Sequence, residues 1–223
     1  MKRLIRKVIF AFRESLNRCC LNNKLKLRGA KLKIGKSLLT KSKIISKGNN
    51  NVVIIGNNCL LTKIKVNILG NNNQIYINSN CTLNQAEFWI EDDNNKIIIG
   101  ENTKLCGQIH LACIEGTSIS VGKDCLFSSN IAIVTGDSHS ILDNNGKRIN
   151  PSASISISDH VWVGQKVIIT KGVYIAKDCV IGAGAVVNKS FENTNCILAG
   201  VPAKIVKQDI NWDERRIAIE ENS

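Results

Sequence analysis

The sequence predicts an all-β solenoid, and three observations carry the prediction. Segments of 22 residues repeat, an aliphatic residue later returns every six positions, and the 223 residues include 33 Ile and 27 Asn but only 2 Pro and 4% aromatics. Isoleucine fits pleated surfaces and asparagine tolerates left-handed turn geometry, so this composition suits short strands joined by tight polar corners. With 43% hydrophobic and 22% charged residues, the chain falls among globular rather than disordered proteins.

Aligned on their glycine or acid turns, four segments read Gly48-Asn-Asn-Asn-Val-Val-Ile-Ile55-Gly, Gly70-Asn-Asn-Asn-Gln-Ile-Tyr-Ile77-Asn, Asp92-Asp-Asn-Asn-Lys-Ile-Ile-Ile99-Gly and Ile114-Glu-Gly-Thr-Ser-Ile-Ser-Val121-Gly. Ile55, Ile77, Ile99 and Val121 are each 22 apart. A fixed period of this length marks units that bury a core only by stacking on their neighbours. Farther on, Ile157, Val163, Ile169, Ile175, Ile181 and Val187 recur every six residues, with Val161, Val167, Val173, Cys179 and Ala185 four places after most of them. A strand period of two does not by itself select every sixth position; a triangular coil with a corner every six residues does. Three hexads make an 18-residue coil, and the 22-residue unit is that coil with a four-residue turn insertion.

Four of the nine cysteines fall into the same register. Cys59, Cys81, Cys125 and Cys179 each lie four after an aliphatic of the repeat, where Thr103 follows Ile99. They read as small buried apolar residues, and no Cys-x-x-Cys pair points to zinc.

The net charge of +12 belongs to one end. Residues 1 to 47 hold 15 Lys and Arg against a single acid, Glu14, whereas the other 176 residues hold 15 bases and 17 acids. In residues 2 to 18, Ile5, Val8, Ile9, Phe12 and Leu16 share one helical face. Two readings stay open: a helix lying on an anionic membrane surface through residues 1–20, or a helix capping the first coil. The segment lacks the uninterrupted apolar stretch of an export signal, and no apolar run reaches the roughly 18 residues of a membrane span. The expected compartment is the reducing cytoplasm, in association with the inner face of the membrane if the first reading holds, and the cysteines are expected to stay unpaired. Nucleic-acid binding is not expected, since only Phe10 and Phe12 interleave the basic residues. The chain thus divides into a basic amphipathic segment at 1–29, a β-helix at 30–208 and a tail at 209–223. A short helix is expected over Trp212–Ile219.

The hexads of 155–187, the insertion Thr135-Gly-Asp-Ser-His139-Ser, the stretch Asp159-His-Val-Trp-Val-Gly164 and the closing Ala199-Gly-Val-Pro-Ala-Lys204 resemble the hexapeptide-repeat acyltransferases, and among them the bacterial surface-polysaccharide and sialic-acid O-acetyltransferases. The resemblance covers roughly residues 30 to 208. It implies a left-handed parallel β-helix, a homotrimer, acetyl-CoA as co-substrate and a glycan or sugar precursor as acceptor. Handedness and trimerisation come from the resemblance alone.

The hexads stop after Ile133 and resume at Ile155, so residues 135–152 form a projecting loop, and an irregular insertion is where a repetitive solenoid can build a site. The loop carries His139 beside Asp137 and Asp143. Acetyl transfer to a hydroxyl needs a base, and histidine titrates in the useful range. In the resembling family the Gly-Asp-Ser-His histidine is catalytic, which makes His139 the candidate general base in a direct transfer. Asp137, Asp143 or a backbone carbonyl is the candidate orienting group. His110 is either structural or part of the acceptor site, and His160 reads as an exposed turn residue. Gaps of 29 and 21 residues between the histidines do not fit the metal-binding pattern of related repeats, so no metal is expected.

The resemblance further implies that Trp162 lies against the acyl donor. It assigns the coenzyme to Gln165, Ala183, Asn188 and Lys189, with Lys204 and Lys207 near its phosphates. The family commonly has Thr where Asn188 stands. Trp89, with no motif around it, reads as packing on the stack. Two other readings compete, besides the nucleic-acid binding set aside above. N-acetylation of an amino sugar would use the same base. A non-catalytic binding or scaffold β-helix would have a flat regular face, which the insertion interrupts. No Gly-x-Ser-x-Gly elbow is present to suggest a covalent acyl-enzyme.

Overall fold

The computed structural model describes residues 22–218, so the amphipathic segment 2–18, its capping or membrane role and its helix lie outside the described residues. Among the described residues the elements are 22 strands, with no helix. They stack as a parallel β-helix. One continuous path runs Lys24–Leu27, Lys43–Lys47, Lys65–Leu69, Ala86–Glu91, Lys104–Cys113, Leu126–Val134, Trp162–Val163, Val180–Ile181 and Ile197–Ala199. Because Lys24–Leu27 already pairs in parallel with Lys43–Lys47, the stack extends N-terminal of residue 30.

The repeat positions become hydrogen-bonded neighbours. Ile55 pairs with Ile77, Ile77 with Ile99, Ile99 with Val121, Val121 with Ile157 and Ile157 with Ile175, all buried. The corners explain the asparagines. Asn50, Asn72 and Asn94 form one column of left-handed residues, with φ of 57°, 57° and 63°. Asn58, Asn80, Asn102, Asp124, His160, Asp178 and Asn195 form a second, and Lys41, Lys63, Gln85, Gln108, Asn130 and Lys166 a third. A short polar side chain lowers the cost of that conformation.

Two internal ladders tie the coils together. Asn51, Asn73 and Asn95 are buried, and their Oδ1 atoms accept the backbone N–H of Asn73, Asn95 and Thr117 at 2.9, 2.8 and 3.1 Å. The cysteine column does the same work with sulfur. The Cys81 thiol donates to the Gly100 carbonyl at 3.0 Å and the Cys125 thiol to Ser158 at 3.3 Å, where Thr103 donates its hydroxyl to Gly122 at 2.9 Å. Burial pushes the Cys125 thiol up to about 12, which keeps it a neutral donor. The cysteines are therefore buried, as their register requires, and also polar partners, each such bond contributing roughly 1 kcal/mol net.

The stack ends where Lys204–Lys207 turns back antiparallel onto Ile197–Ala199. The helix expected over Trp212–Ile219 is not formed across its described part, residues 212–218. Trp212 and Glu214 are held by distant partners, and Asp213 by its near neighbour Arg215. Trp212 Nε1 donates to the His160 carbonyl at 2.9 Å, its ring stacks on the His160 imidazole at 4.3 Å, Glu214 accepts from Lys104 at 2.5 Å, and Asp213 accepts from the Arg215 backbone at 2.8 Å. A helical turn would pull these contacts apart, so the tail runs extended as a strap across the coils.

Candidate active site

The loop after Leu126–Val134 is anchored by side chains far apart in sequence. Gly136 is required at its root, since a Cβ there would lie 2.2 Å from Ser152 Oγ and 2.5 Å from Ile114 Cδ1. Ser138 is left-handed at φ 60°, which aims the next residue, His139, outward. Asn150, buried at the base, donates Nδ2 to the His139 carbonyl and to Asp137 Oδ2, both at 2.8 Å, and its Oδ1 accepts the Ile141 N–H at 2.7 Å. Arg148 donates to Glu115 Oε1 at 2.5 Å, and Lys171 donates to Asp137.

The two candidate orienting carboxylates are thus occupied elsewhere. Asp137 binds Lys171 and Asn150, and Asp143 accepts the N–H groups of Asn145 and Lys147 at 2.9 Å each, closing the turn at the loop tip. The exposed His139 imidazole has no hydrogen-bond partner among the described residues, so the loop positions it through its backbone.

His139 stands at the mouth of a cleft of about 580 Å³, whose other walls include Glu87, Trp89, Glu91, His110 and Val134. His110 Nδ1 meets Glu87 Oε2 at 3.2 Å within it, so the structure places His110 on the site's wall. Trp89 joins the site unannounced by any motif. Phe88 beside it is fully buried while Trp89 faces out, with Nε1 donating to Glu91 at 2.9 Å. An outward tryptophan in a strand alternating with a buried phenylalanine was the available signal. Glu115, Arg148, Asn150 and Lys171 lacked any, because their pairings span an aperiodic loop.

Trp162 is 40% exposed and lies on a different face from the cleft. It pairs with Leu126 and Val180, whereas the strands under His139 pair through Ala132 and Ile168, with the Lys166 corner between. Its ring sits 6.0 Å from Trp212, and the same strap covers His160, which is a corner residue but half-buried and bonded to Asp178 at 2.9 Å. Gln165 and Ala183 are neighbours on consecutive coils, since the Gln165 carbonyl accepts the Gly184 N–H at 2.8 Å. Lys204 and Lys207 are exposed on the closing hairpin near them. Asn188 is exposed, and Lys189 is drawn over the Phe191 ring at 5.6 Å. No cluster of three or more potential metal ligands occurs among the described residues, and no helix there is long and apolar enough to cross a membrane.

The loop anchors predict an acid response. The Arg148 guanidinium and the Ser152 contact hold Glu115 down to about 2, and Lys171 and Asn150 hold Asp137 below the usual carboxylate range. A depressed folded pKa gives stability that is complete above the ordinary value of about 4.3 and is lost as pH falls toward the folded value. Hydrogen exchange in 136–150 is therefore expected to accelerate between about pH 4 and pH 2 before the stack melts. Glu115→Gln should shrink this acid-induced change, and equal pH profiles for the two proteins would remove Glu115 as an anchor.

The family model for bacterial transferase hexapeptide (six repeats) matches residues 154–189. A polysialic acid O-acetyltransferase of Neisseria meningitidis is 37% identical over 180 residues, 80% of this chain and 83% of that protein. One of Escherichia coli O1:K1 / APEC is 35% identical over 96 residues, 43% of this chain but 31% of that protein, so the match spans less than a third of its length. The crystallographic structure of the polysialic acid O-acetyltransferase OatWY matches with a TM-score of 0.81 at 32% identity, covering 90% of this chain and 94% of that one. The likeness extends to the left-handed sense of the β-helix.

Proposed function

Since this chain belongs to the hexapeptide-repeat O-acetyltransferases, we propose that it transfers an acetyl group from acetyl-CoA to a hydroxyl of a sugar in a bacterial surface polysaccharide or its precursor, with His139 as general base. The observation that carries this reading is an exposed histidine, fixed by its backbone and unpaired at its ring, over a cleft of about 580 Å³ with polar walls. The imidazole removes the proton of the acceptor hydroxyl as its oxygen attacks the acetyl carbonyl. The bond to sulfur breaks, and the proton returns from the imidazolium to the leaving thiolate, so no covalent acyl-enzyme forms.

The coenzyme's path follows Trp162, the Gln165–Ala183 edge and the lysines of the closing hairpin, with Lys204 and Lys207 meeting phosphate. Narrow glycine corners favour that edge. A Cβ on Gly164 would lie 2.7 Å from the Ala183 nitrogen, so the backbone itself forms the surface. As Trp162 and His139 lie on neighbouring faces of one chain, a donor site containing both is completed by packing copies together, and this is the role of the homotrimer. Ile141 and Leu142 at the loop tip, exposed at 55% and 56%, supply apolar area for that packing. The protein works in the cytoplasm, where acetyl-CoA is available. Initial-rate kinetics with both substrates varied should give the intersecting pattern of a ternary complex. Parallel lines with an isolable acetyl-enzyme would replace direct transfer by a covalent route.

A further inference from the structure

Among the described residues, lysines of the first coils form a track that leads to the cleft. Lys24 pairs in register with Lys43, Lys43 with Lys65, Lys65 with Glu87 and Glu87 with His110. These are outward positions, and Lys24, Lys43 and Lys65 are exposed. With coils about 4.8 Å apart, the three lysine positions follow one another up a single face at the spacing of a sheet ladder. Lys41 and Lys63, exposed corner residues with φ of 50° and 55°, flank that column, and Lys26 lies beside Lys24 on its strand. A second cleft of about 540 Å³, walled by Lys63, Lys65, Glu87 and His110, shares Glu87 and His110 with the cleft under His139. None of these six lysines has a carboxylate within ion-pair distance among the described residues, while Glu87 beyond them is engaged by His110.

We infer that this lysine column is an extended acceptor track, which holds the distal part of an acidic glycan chain while a sugar nearer the cleft is acetylated. The inference rests on the proposed transfer reaction for the identity of that site. A single anion needs one cluster of donors, whereas cations repeated coil after coil suit a polymer with an anionic group on successive sugars. Like charges stacked this way repel one another, and a polyanion relieves that repulsion. No aromatic residue lies between Asn22 and Ile75, so the track offers no platform for stacking nucleic-acid bases.

The test compares the full-length protein with Lys24→Ser/Lys43→Ser and the charge-conserving Lys24→Arg/Lys43→Arg, using long polysialic acid, its dimer and a neutral polysaccharide in binding and acetyl-transfer assays. The wild type should bind the long acid polymer more tightly than the dimer, with an advantage that fades at high salt. The serine variant should reduce that advantage roughly fivefold or more, as expected for two lost ion contacts, and the arginine variant should restore it. An unchanged long-to-dimer ratio in the serine variant would overturn the track. So would anionic vesicles competing as well as the polymer, which would make the face a membrane contact. Lysine-dependent polymer binding with no transfer would sustain the track and refute the transfer reading. Transfer without length dependence would do the reverse.

Discussion

His139→Ala is expected to lower kcat/KM for acetyl transfer by about 100-fold or more while leaving thermal unfolding unchanged. The magnitude is that of a removed general base. The second half of the expectation comes from the structure. The imidazole is exposed and makes no hydrogen bond among the described residues, and the bond that fixes the segment runs from Asn150 to the His139 carbonyl, which alanine retains. Binding of CoA should persist, because the edge formed by Gln165 and Ala183 is built by other coils. A variant with wild-type turnover would remove His139 from the chemistry, and one that melts early would show that the residue supports the fold.

Asn150→Ala is expected to have the next largest effect, a loss of roughly 10- to 100-fold in kcat/KM with the stack intact. The residue touches no substrate in this account and acts by position. Its side chain joins the His139 carbonyl, the Asp137 carboxylate, the Ile141 N–H and, at 3.2 Å, Arg148 Nε. Removing it breaks these bonds, each contributing about 1 kcal/mol net, and frees the histidine to wander, and a displacement of about 1 Å can cost two orders of magnitude in rate. The split between parameters identifies the mechanism. A positioning loss lowers kcat and speeds hydrogen exchange over 136–150, with the global unfolding midpoint nearly unmoved. Loss of the midpoint with unchanged exchange in the loop would mean that Asn150 serves the coil beneath it.

Much of the fold was legible because stacking forces a period. Ile55, Ile77, Ile99 and Val121 are spaced alike since each must lie on the next, and the abundance of Asn followed from corners that need φ > 0. The loop was legible as a break in that period, and His139 as its one histidine. What escaped the reading was what the period does not encode. Contacts such as Glu115 to Arg148 and Asp137 to Lys171 join the aperiodic loop to coils more than 30 residues away, and no spacing announces them. The register alone marks the cysteines as apolar, although Ser37 and Thr103 in the same column signal a position that wants a donor. Trp212 and Glu214 fit a helical pattern locally, but their distant partners His160 and Lys104 outweigh the weak preference of a single turn. Lys24 and Lys43 belong to the charge excess of residues 1 to 47, and only the register joins them with Lys65 into a line.

The measurement that bears most directly on the account is mass spectrometry of a polysialic acid acceptor incubated with acetyl-CoA and the purified full-length protein, with free thiol followed in the same reaction. Acetyl ester is expected on sugar hydroxyls, formed in step with thiol release and nearly abolished in His139→Ala. Thiol release without acetylated sugar across polysialic acid and a panel of neutral and amino sugars, or acetylation that persists in the variant, would contradict the claim that the cleft under His139 carries out O-acetyl transfer.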